Sequence, residues 1–323
     1  MAGKMNRRKF LRNTVGAAAG LGLSGLISAV DRPKSFAAAM SPATMPKRKL
    51  GRTGFEVSVF SLGGESALER RGNQYEAMAL IDRALDLGVN YIDTSPTYGA
   101  GGSETNIGKV MALRRNEVFL ATKSHDRGYD GTMRLAEQSL ERLQTDHLDL
   151  YQIHNVRVME DVDMALGKQG AIRAMEQLRS EKVIRHIGIT GHKDPEVLLH
   201  ALRSYDFDTV LMTLNAGDIH FKPFQKDLLR LAEEKQLGII AMKVTAVNRI
   251  FREGGLNSMR EALGYTLSFP VSTAIVGISN LEQLEENVQI ASQFAPFSQQ
   301  ELGAIEAKVQ PYHDEANFFK HYW

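Results

Sequence analysis

The chain contains no cysteine among its 323 residues, which excludes disulfides, thiolate-bound metals and a cysteine nucleophile. It also lacks an excess of either charge, because 39 Lys and Arg balance 38 Asp and Glu. A near-zero net charge gives no general attraction for a polyanion, so we expect no nucleic-acid partner. The candidate ligands His125, His192 and His220 form no pair with helical i, i+4 spacing, so we expect no metal site.

The first 40 residues have the composition of a targeting segment. Arg7 and Arg8 precede a stretch rich in Gly, Ala and Leu at 15–30, and small residues at 37–39 suit a cleavage site. The stretch is short for a membrane span, which needs about 20 residues. The segment resembles a twin-arginine (Tat) export signal. The resemblance implies contact with the Tat export machinery and a periplasmic protein with the signal cleaved; a retained membrane anchor is the alternative.

From residue 46 onward, short apolar runs alternate with longer amphipathic ones, as expected for repeated βα units. We predict an α/β fold, a single-domain (β/α)8 TIM barrel over residues 46–323, with a short hairpin at 47–57 closing the barrel bottom. An open doubly wound sheet is the rival, but residues 61–65 lack the Gly-x-Gly-x-x-Gly spacing that it favours. The eight strand candidates are 57–62, 90–93, 118–122, 148–153, 184–189, 209–212, 239–242 and 273–276.

Four chemically active side chains fall where three successive predicted strands end: Asp93, Tyr98, Lys123 and His154. An ammonium beside a phenol favours phenolate, so we expect Lys123 to lower the pKa of Tyr98 from its reference value near 10. Asp93 can hold the lysine charged, and His154 can donate a hydrogen bond to a substrate carbonyl. Together these groups predict protonation of a carbonyl oxygen while hydride reaches its carbon. A desolvated Lys123 could instead form a Schiff base, which keeps an aldolase as an alternative.

Several motifs resemble those of the aldo-keto reductase superfamily, in the same order from about residue 48 to 287. They include IDTSPTYG at 92–99, ATK at 121–123 and LYQIH at 150–154. The resemblance implies a (β/α)8 barrel and an NAD(P)H-dependent oxidoreductase that reduces aldehydes or ketones, or oxidises the alcohol in reverse. It also implies a catalytic tetrad of Asp93, Tyr98, Lys123 and His154, in which Tyr98 is the general acid. Some relatives are non-catalytic, nicotinamide-binding accessory subunits, which is a second alternative.

The resemblance places a nicotinamide cofactor across the top of the barrel, and we favour NADP (NADPH), with NAD possible. Ser279 stands where members that use NADPH often carry arginine. A small carbonyl substrate is the expected partner, and the oligomeric state stays open. The aromatic tail at 311–323 could cover the barrel mouth or pack along its side. The cofactor-binding candidates are Thr190, His192, Asn215, Met242, Lys243, Gly277, Ser279, Gln283 and Asn287.

Overall fold

The structure, a computed structural model, describes residues 45–322; the predicted export signal at 1–40 and Trp323 lie outside this range. It begins with the predicted hairpin, in which β1 (Lys47–Lys49) pairs antiparallel with β2 (Glu56–Ser58). Between these strands the chain turns sharply, and Leu50 is fully buried in a cluster with the inward side chains Tyr91 and Phe119. The hairpin therefore closes one end of the structure that follows.

That structure is the predicted barrel, and the fold class is confirmed. Its strands are parallel, each pairs with the next along the chain, and the last pairs back with the first to close the sheet. The strands are β3 (Phe60–Ser66), β4 (Tyr91–Asp93), β5 (Phe119–Ser124), β6 (Leu148–Ile153), β7 (Ile184–Gly191), β8 (Thr209–Thr213), β9 (Gly238–Met242) and β10 (Thr273–Ile278).

The first barrel strand differs from its prediction at 57–62. Val57 pairs with Arg48 in the hairpin, and β3 starts only at Phe60 and continues to Ser66. One apolar run thus supplies the end of one strand and the start of another, and hydrophobic periodicity alone does not separate two strands that lie end to end.

Helices surround the barrel and bury one face each; α1, for example, buries Ala77, Leu80, Ile81 and Ala84 at three- and four-residue spacing. None of the helices within residues 45–322 is long and apolar enough to cross a membrane. The helices are α1 (Gln74–Asp86), α2 (Gly102–Arg114), α3 (Tyr129–Leu143), α4 (Met159–Leu166), α5 (Ala171–Ser180), α6 (Pro195–Ser204), α7 (Asp227–Glu234), α8 (Met259–Leu267), α9 (Leu281–Ser292), α10 (Gln299–Val309), α11 (His313–Ala316) and α12 (Phe318–Tyr322).

The C-terminal tail is tied to the loop after β8 by a buried ion pair. Lys320 Nζ lies 2.5 Å from Asp218 Oδ1, and both side chains are fully buried. The same ammonium donates to the carbonyl oxygens of Phe221 and Lys222, while Asn317 Nδ2 donates to a neighbouring carbonyl of that loop. Because a buried charge is costly unless it is paired and hydrogen-bonded, these contacts hold the tail firmly against the barrel.

Inside the barrel, side chains lie in layers because alternate strand residues point inward. The lower layer is apolar and contains Tyr91, Phe119 and Leu150. Two residues further along β4, the inward position is Asp93, and two residues beyond Leu150 on β6 it is Gln152. The fold therefore replaces an apolar layer with a polar one at the carboxyl ends of the strands.

Helix α2 packs closely on α3 at Gly108, and this contact generates a stability prediction. A Cβ at Gly108 would lie 2.1 Å from the carbonyl oxygen of Arg142, whereas a Cβ at Gly303, in α10, would meet nothing within 4 Å. We expect Gly108→Ala to lower the free energy of unfolding by about 1–3 kcal/mol or more, because backbone would have to move. The matched control Gly303→Ala should raise it by about 0.5–1 kcal/mol. Urea unfolding measures both, and equal effects would contradict this packing.

Candidate active site

The polar layer is centred on the ammonium of Lys123, which is 1% exposed. Its Nζ donates hydrogen bonds to Asp93 Oδ1, to the carbonyl oxygen of Thr94 at 2.8 Å and to Tyr98 Oη at 3.3 Å. An ammonium has three protons, and these acceptors use all three. The second carboxylate oxygen of Asp93 accepts from Gln152 Nε2 at 3.0 Å. The carboxylate is thus held on both oxygens and neutralises a cation that water does not reach.

Strand register explains how these groups meet. Lys123 pairs with Gln152 across β5 and β6, while Asp93 pairs with Ala121 across β4 and β5. Ala121 precedes Lys123 by two residues, so both point into the barrel, and its small side chain leaves room below the lysine. The long lysine side chain can then reach back to the carboxylate on the neighbouring strand.

Tyr98 is brought to the lysine by an unusual turn. The three residues after it all have positive φ: Gly99 at 55°, Ala100 at 50° and Gly101 at 88°. For Ala100 this conformation costs about 1–2 kcal/mol. Arg71 compensates, because its guanidinium donates to the carbonyl oxygens of Gly99 and Ala100 at 3.2 and 2.9 Å. The turn therefore positions the phenol at the expense of local strain.

The helix after this turn is also fixed to the barrel. Glu104, fully buried in the first turn of α2, accepts from Thr122 Oγ1 at 2.7 Å and from Arg142 Nε at 2.6 Å. Thr122 lies on β5 beside Lys123. The helix that follows Tyr98 is thereby linked to the strand that carries its lysine partner.

His154 follows β6 and lies beside Tyr98, with ring centroids 6.0 Å apart and planes at 87°. Its Nδ1 is 3.2 Å from Ser95 Oγ, in the loop between Asp93 and Tyr98. Its backbone N–H donates to the carbonyl oxygen of Ser124, which extends the β5–β6 ladder by one bond. The structure thus brings all four predicted tetrad residues to one end of the barrel.

The expected lowering of the Tyr98 pKa is wrong in direction. Burial raises the pKa of this phenol well above its ordinary value, and the carboxylates of Asp93, Glu65 and Glu69 raise it further. Burial and the neighbouring carboxylates all penalise the phenolate, and the sequence does not show the degree of burial. Tyr98 is consequently a protonated phenol at neutral pH, which is the form that an acid requires.

Two further groups of the tetrad, Asp93 and His154, are also shifted in pKa. Burial raises the pKa of Asp93, although the Lys123 ammonium and the Gln152 amide oppose the shift. Burial lowers the pKa of His154 well below its ordinary value, and the nearby Lys123 charge lowers it further. The imidazole is therefore neutral near pH 7, so it can donate or accept a hydrogen bond without adding a second cation.

Above the tetrad opens a cavity of about 590 Å³, a volume within the usual range for small-molecule sites. Asp93 and Tyr98 form part of its wall. Glu65 and Glu286, which the sequence analysis did not select, also line it. Six of the predicted cofactor residues line the same cavity: Met242, Lys243, Gly277, Ser279, Gln283 and Asn287.

The remaining cofactor candidates have their contacts elsewhere. Thr190 Oγ1 accepts from the backbone N–H of Asn155 at 2.7 Å. Asn215 uses its amide to bridge two loops, donating to the carbonyl oxygen of Lys243 at 2.9 Å and accepting from a backbone N–H at 2.8 Å. The His192 ring packs edge-on against Phe319 of the tail, 6.2 Å between centroids. Of these three side chains, Asn215 contacts a residue that lines the cavity, Lys243.

Sequence reasoning did not select Gln152 as a site residue, although it lies in a quoted motif. The available signal was its spacing, because it follows the inward residue Leu150 by two positions. No signal of this kind exists for Arg71, which bonds to the turn after Tyr98, or for Arg142, which bonds to Glu104, because both partners are distant in sequence. Within residues 45–322, no group of three or more His, Asp or Glu side chains is arranged to hold a metal ion.

Proteins that resemble this chain in sequence or structure include a dehydrogenase and two aldo-keto reductases. L-galactose dehydrogenase of Arabidopsis thaliana is 28% identical over 82% of this chain and 94% of its own. Aldo-keto reductase AKR11C1 of Bacillus halodurans, in its holo form, is 27% identical, with a TM-score of 0.70 over 82% of this chain and 96% of that one. An aldo-keto reductase from Klebsiella pneumoniae in complex with NADPH shares the fold at 22% identity, with a TM-score of 0.67 over 79% and 92%.

The family assignment rests on a match over most of the barrel. Residues 60–253 match the aldo/keto reductase family, from the first barrel strand to the loop beyond the seventh. The matched segment includes the tetrad and the polar layer beneath the cavity. The chain therefore belongs to the aldo/keto reductase family of oxidoreductases.

Proposed function

We propose that the protein reduces aldehyde or ketone carbonyls with a nicotinamide cofactor, or oxidises the corresponding alcohols, and that Tyr98 is the general acid. The observation that supports this most directly is the triple hydrogen bonding of Lys123, which joins Asp93 and Tyr98 at the foot of the cavity. A reduced nicotinamide supplies a hydride when bound. The protein's own residues must supply the proton, its orientation and the exclusion of water.

In this proposal Tyr98 Oη gives its proton to the carbonyl oxygen as the carbonyl carbon is reduced. The phenolate that remains is stabilised by the Lys123 ammonium 3.3 Å away, whose charge Asp93 balances. His154, neutral and adjacent, orients the carbonyl oxygen by a hydrogen bond. Preorganised donors of this kind cost little reorganisation at the moment of reaction.

The same geometry argues against the Schiff-base alternative. A lysine that attacks a carbonyl must be neutral and have a free lone pair. Lys123 instead donates to three oxygens, one of them on a buried carboxylate, so its nitrogen offers no free lone pair to a carbonyl carbon.

We propose that the cofactor lies along the cavity wall formed by Met242, Lys243, Ser279, Gln283 and Asn287. The polarisable thioether of Met242 suits a flat ring, and the Lys243 ammonium suits a phosphate. NADP is favoured over NAD from the family resemblance. Asn215 supports this wall by donating to the carbonyl oxygen of Lys243.

We expect Tyr98→Phe to lower kcat for an aromatic aldehyde by about 10²- to 10⁴-fold, because it removes the proton donor and keeps the ring. Cofactor binding should be nearly unchanged. Steady-state turnover and thermal shift, with NADPH and NADH titrated separately, measure the two effects.

In that experiment we expect the melting temperature of both proteins to rise more with NADPH than with NADH. A variant that keeps most of its turnover would overturn the role of Tyr98. No thermal shift with either cofactor in the wild type would instead favour an unrelated function, and binding without turnover of any aldehyde would favour an accessory subunit.

We further propose that residues 1–40 are a Tat signal that directs the protein to the periplasm, where the signal is cleaved. Support comes from the Arg7–Arg8 pair, the apolar stretch and the small residues at 37–39. Substituting both arginines by lysine should move the protein from the periplasmic to the cytoplasmic fraction of a Tat-competent bacterium. An unchanged distribution, or a mature periplasmic protein that keeps residue 1, would contradict the proposal.

A further inference from the structure

Arg127, in the loop between β5 and α3, donates hydrogen bonds to the backbone of His154 and of the next residue, Asn155. Its Nη1 donates to the carbonyl oxygen of His154 at 2.8 Å, and its Nη2 donates to that of Asn155 at 2.9 Å. The side chain is 13% exposed. A planar guanidinium with two fixed donors is suited to such a paired contact, because both bonds form from one rigid group.

The turn that Arg127 contacts needs external support. Asn155 has a φ of 50°, a left-handed conformation, and its backbone N–H donates to Thr190 Oγ1. The His154 backbone N–H continues the sheet by donating to Ser124. The turn is thus fixed by the sheet, by one threonine hydroxyl and by the two bonds from Arg127.

The charge of Arg127 has an effect of its own. Burial lowers the pKa of Arg127, so holding a cation here is unfavourable, and Asp161 compensates only in part, its Oδ1 lying 3.5 Å from Nε. The charged and titratable groups that face His154 are Tyr98 after β4, Lys123 on β5, His125 and Arg127 in the next loop, and His192 after β7. Burial is the largest cause of the low pKa of His154, and the charges of Lys123, His192, Arg127 and His125, in that order, lower it further.

We propose that Arg127 is a positioning residue of the active site, whose two hydrogen bonds to the backbone of His154 and Asn155 fix the imidazole beside Tyr98. Its charge also opposes protonation of the imidazole, together with burial and with the charges of Lys123 and His192, which act more strongly. This inference rests on the proposed carbonyl reduction, in which His154 orients the substrate oxygen. A protonated imidazole would place a second cation next to Lys123 and would compete with it for the phenolate. A displaced imidazole would no longer meet the carbonyl oxygen, and misplacement by about 1 Å can cost on the order of 100-fold in rate.

Two substitutions separate the geometric role from the electrostatic one. Arg127→Lys keeps the charge and loses the paired contact, whereas Arg127→Met loses both. We expect each to lower kcat about 10- to 100-fold with little change in the KM for NADPH, because the cofactor wall lies on other strands. Arg134→Met, on the exposed face of α3, is the matched control and should leave kcat unchanged; Arg134 is 62% exposed.

The second readout does not depend on turnover. Histidine NMR of the ¹⁵N-labelled protein follows the titration of His154, whose signals are identified by their loss in His154→Asn. We expect the His154 midpoint to rise in Arg127→Met and to stay near the wild-type value in Arg127→Lys. A merely structural arginine would give the same midpoint in both variants.

Wild-type kcat in Arg127→Lys would overturn the geometric role, and this variant decides that point if Arg127→Met does not fold. An unchanged His154 midpoint in folded Arg127→Met would overturn the electrostatic role. If the wild type reduces no carbonyl, the proposed function fails, while the NMR titration still shows whether Arg127 controls the protonation of His154.

Discussion

The active-site end of the barrel depends on the buried ammonium of Lys123. Taking an ammonium out of water costs several kcal/mol even after relaxation, so Lys123 is stable inside the barrel only because three oxygens surround it. One is the carboxylate of Asp93, one is a backbone carbonyl and one is the phenol of Tyr98. The contacts that compensate the buried charge of Lys123 therefore include the phenol of the proposed chemistry, and a change to one affects the other.

The barrel makes this arrangement possible. Along β4, β5 and β6 the inward side chains are apolar in the lower layer and polar in the layer above it. The strand register places Lys123 opposite Gln152 and within reach of Asp93. The turn after β4 adds Tyr98, and Arg71 and Arg127 hold the turns that carry the phenol and the imidazole. Rigid strands thus supply the charges, and braced turns supply the phenol and the imidazole.

The sequence was sufficient for two of the three strand-borne groups of the site, and Gln152 on β6 was missed. Asp93 and Lys123 could be predicted because strand ends are visible as ends of apolar runs. Thr190 and Asn215 remain predicted cofactor residues. The sequence did not reveal that their polar atoms bind loop backbone, because side-chain direction after a strand end is set by turns. The pKa direction of Tyr98 was missed for a related reason, because burial depends on packing from distant segments.

The central claim is that the Lys123 charge serves proton delivery from Tyr98 during hydride transfer. The most direct measurement follows deuterium from C4-labelled NADPH into an aromatic aldehyde, by mass spectrometry, in the wild type and in Lys123→Met. The account predicts one deuterium at the carbinol carbon in the wild-type product and a rate at least about 100-fold lower in the variant. An unlabelled wild-type product, or a folded variant that transfers deuterium at the wild-type rate, would contradict it.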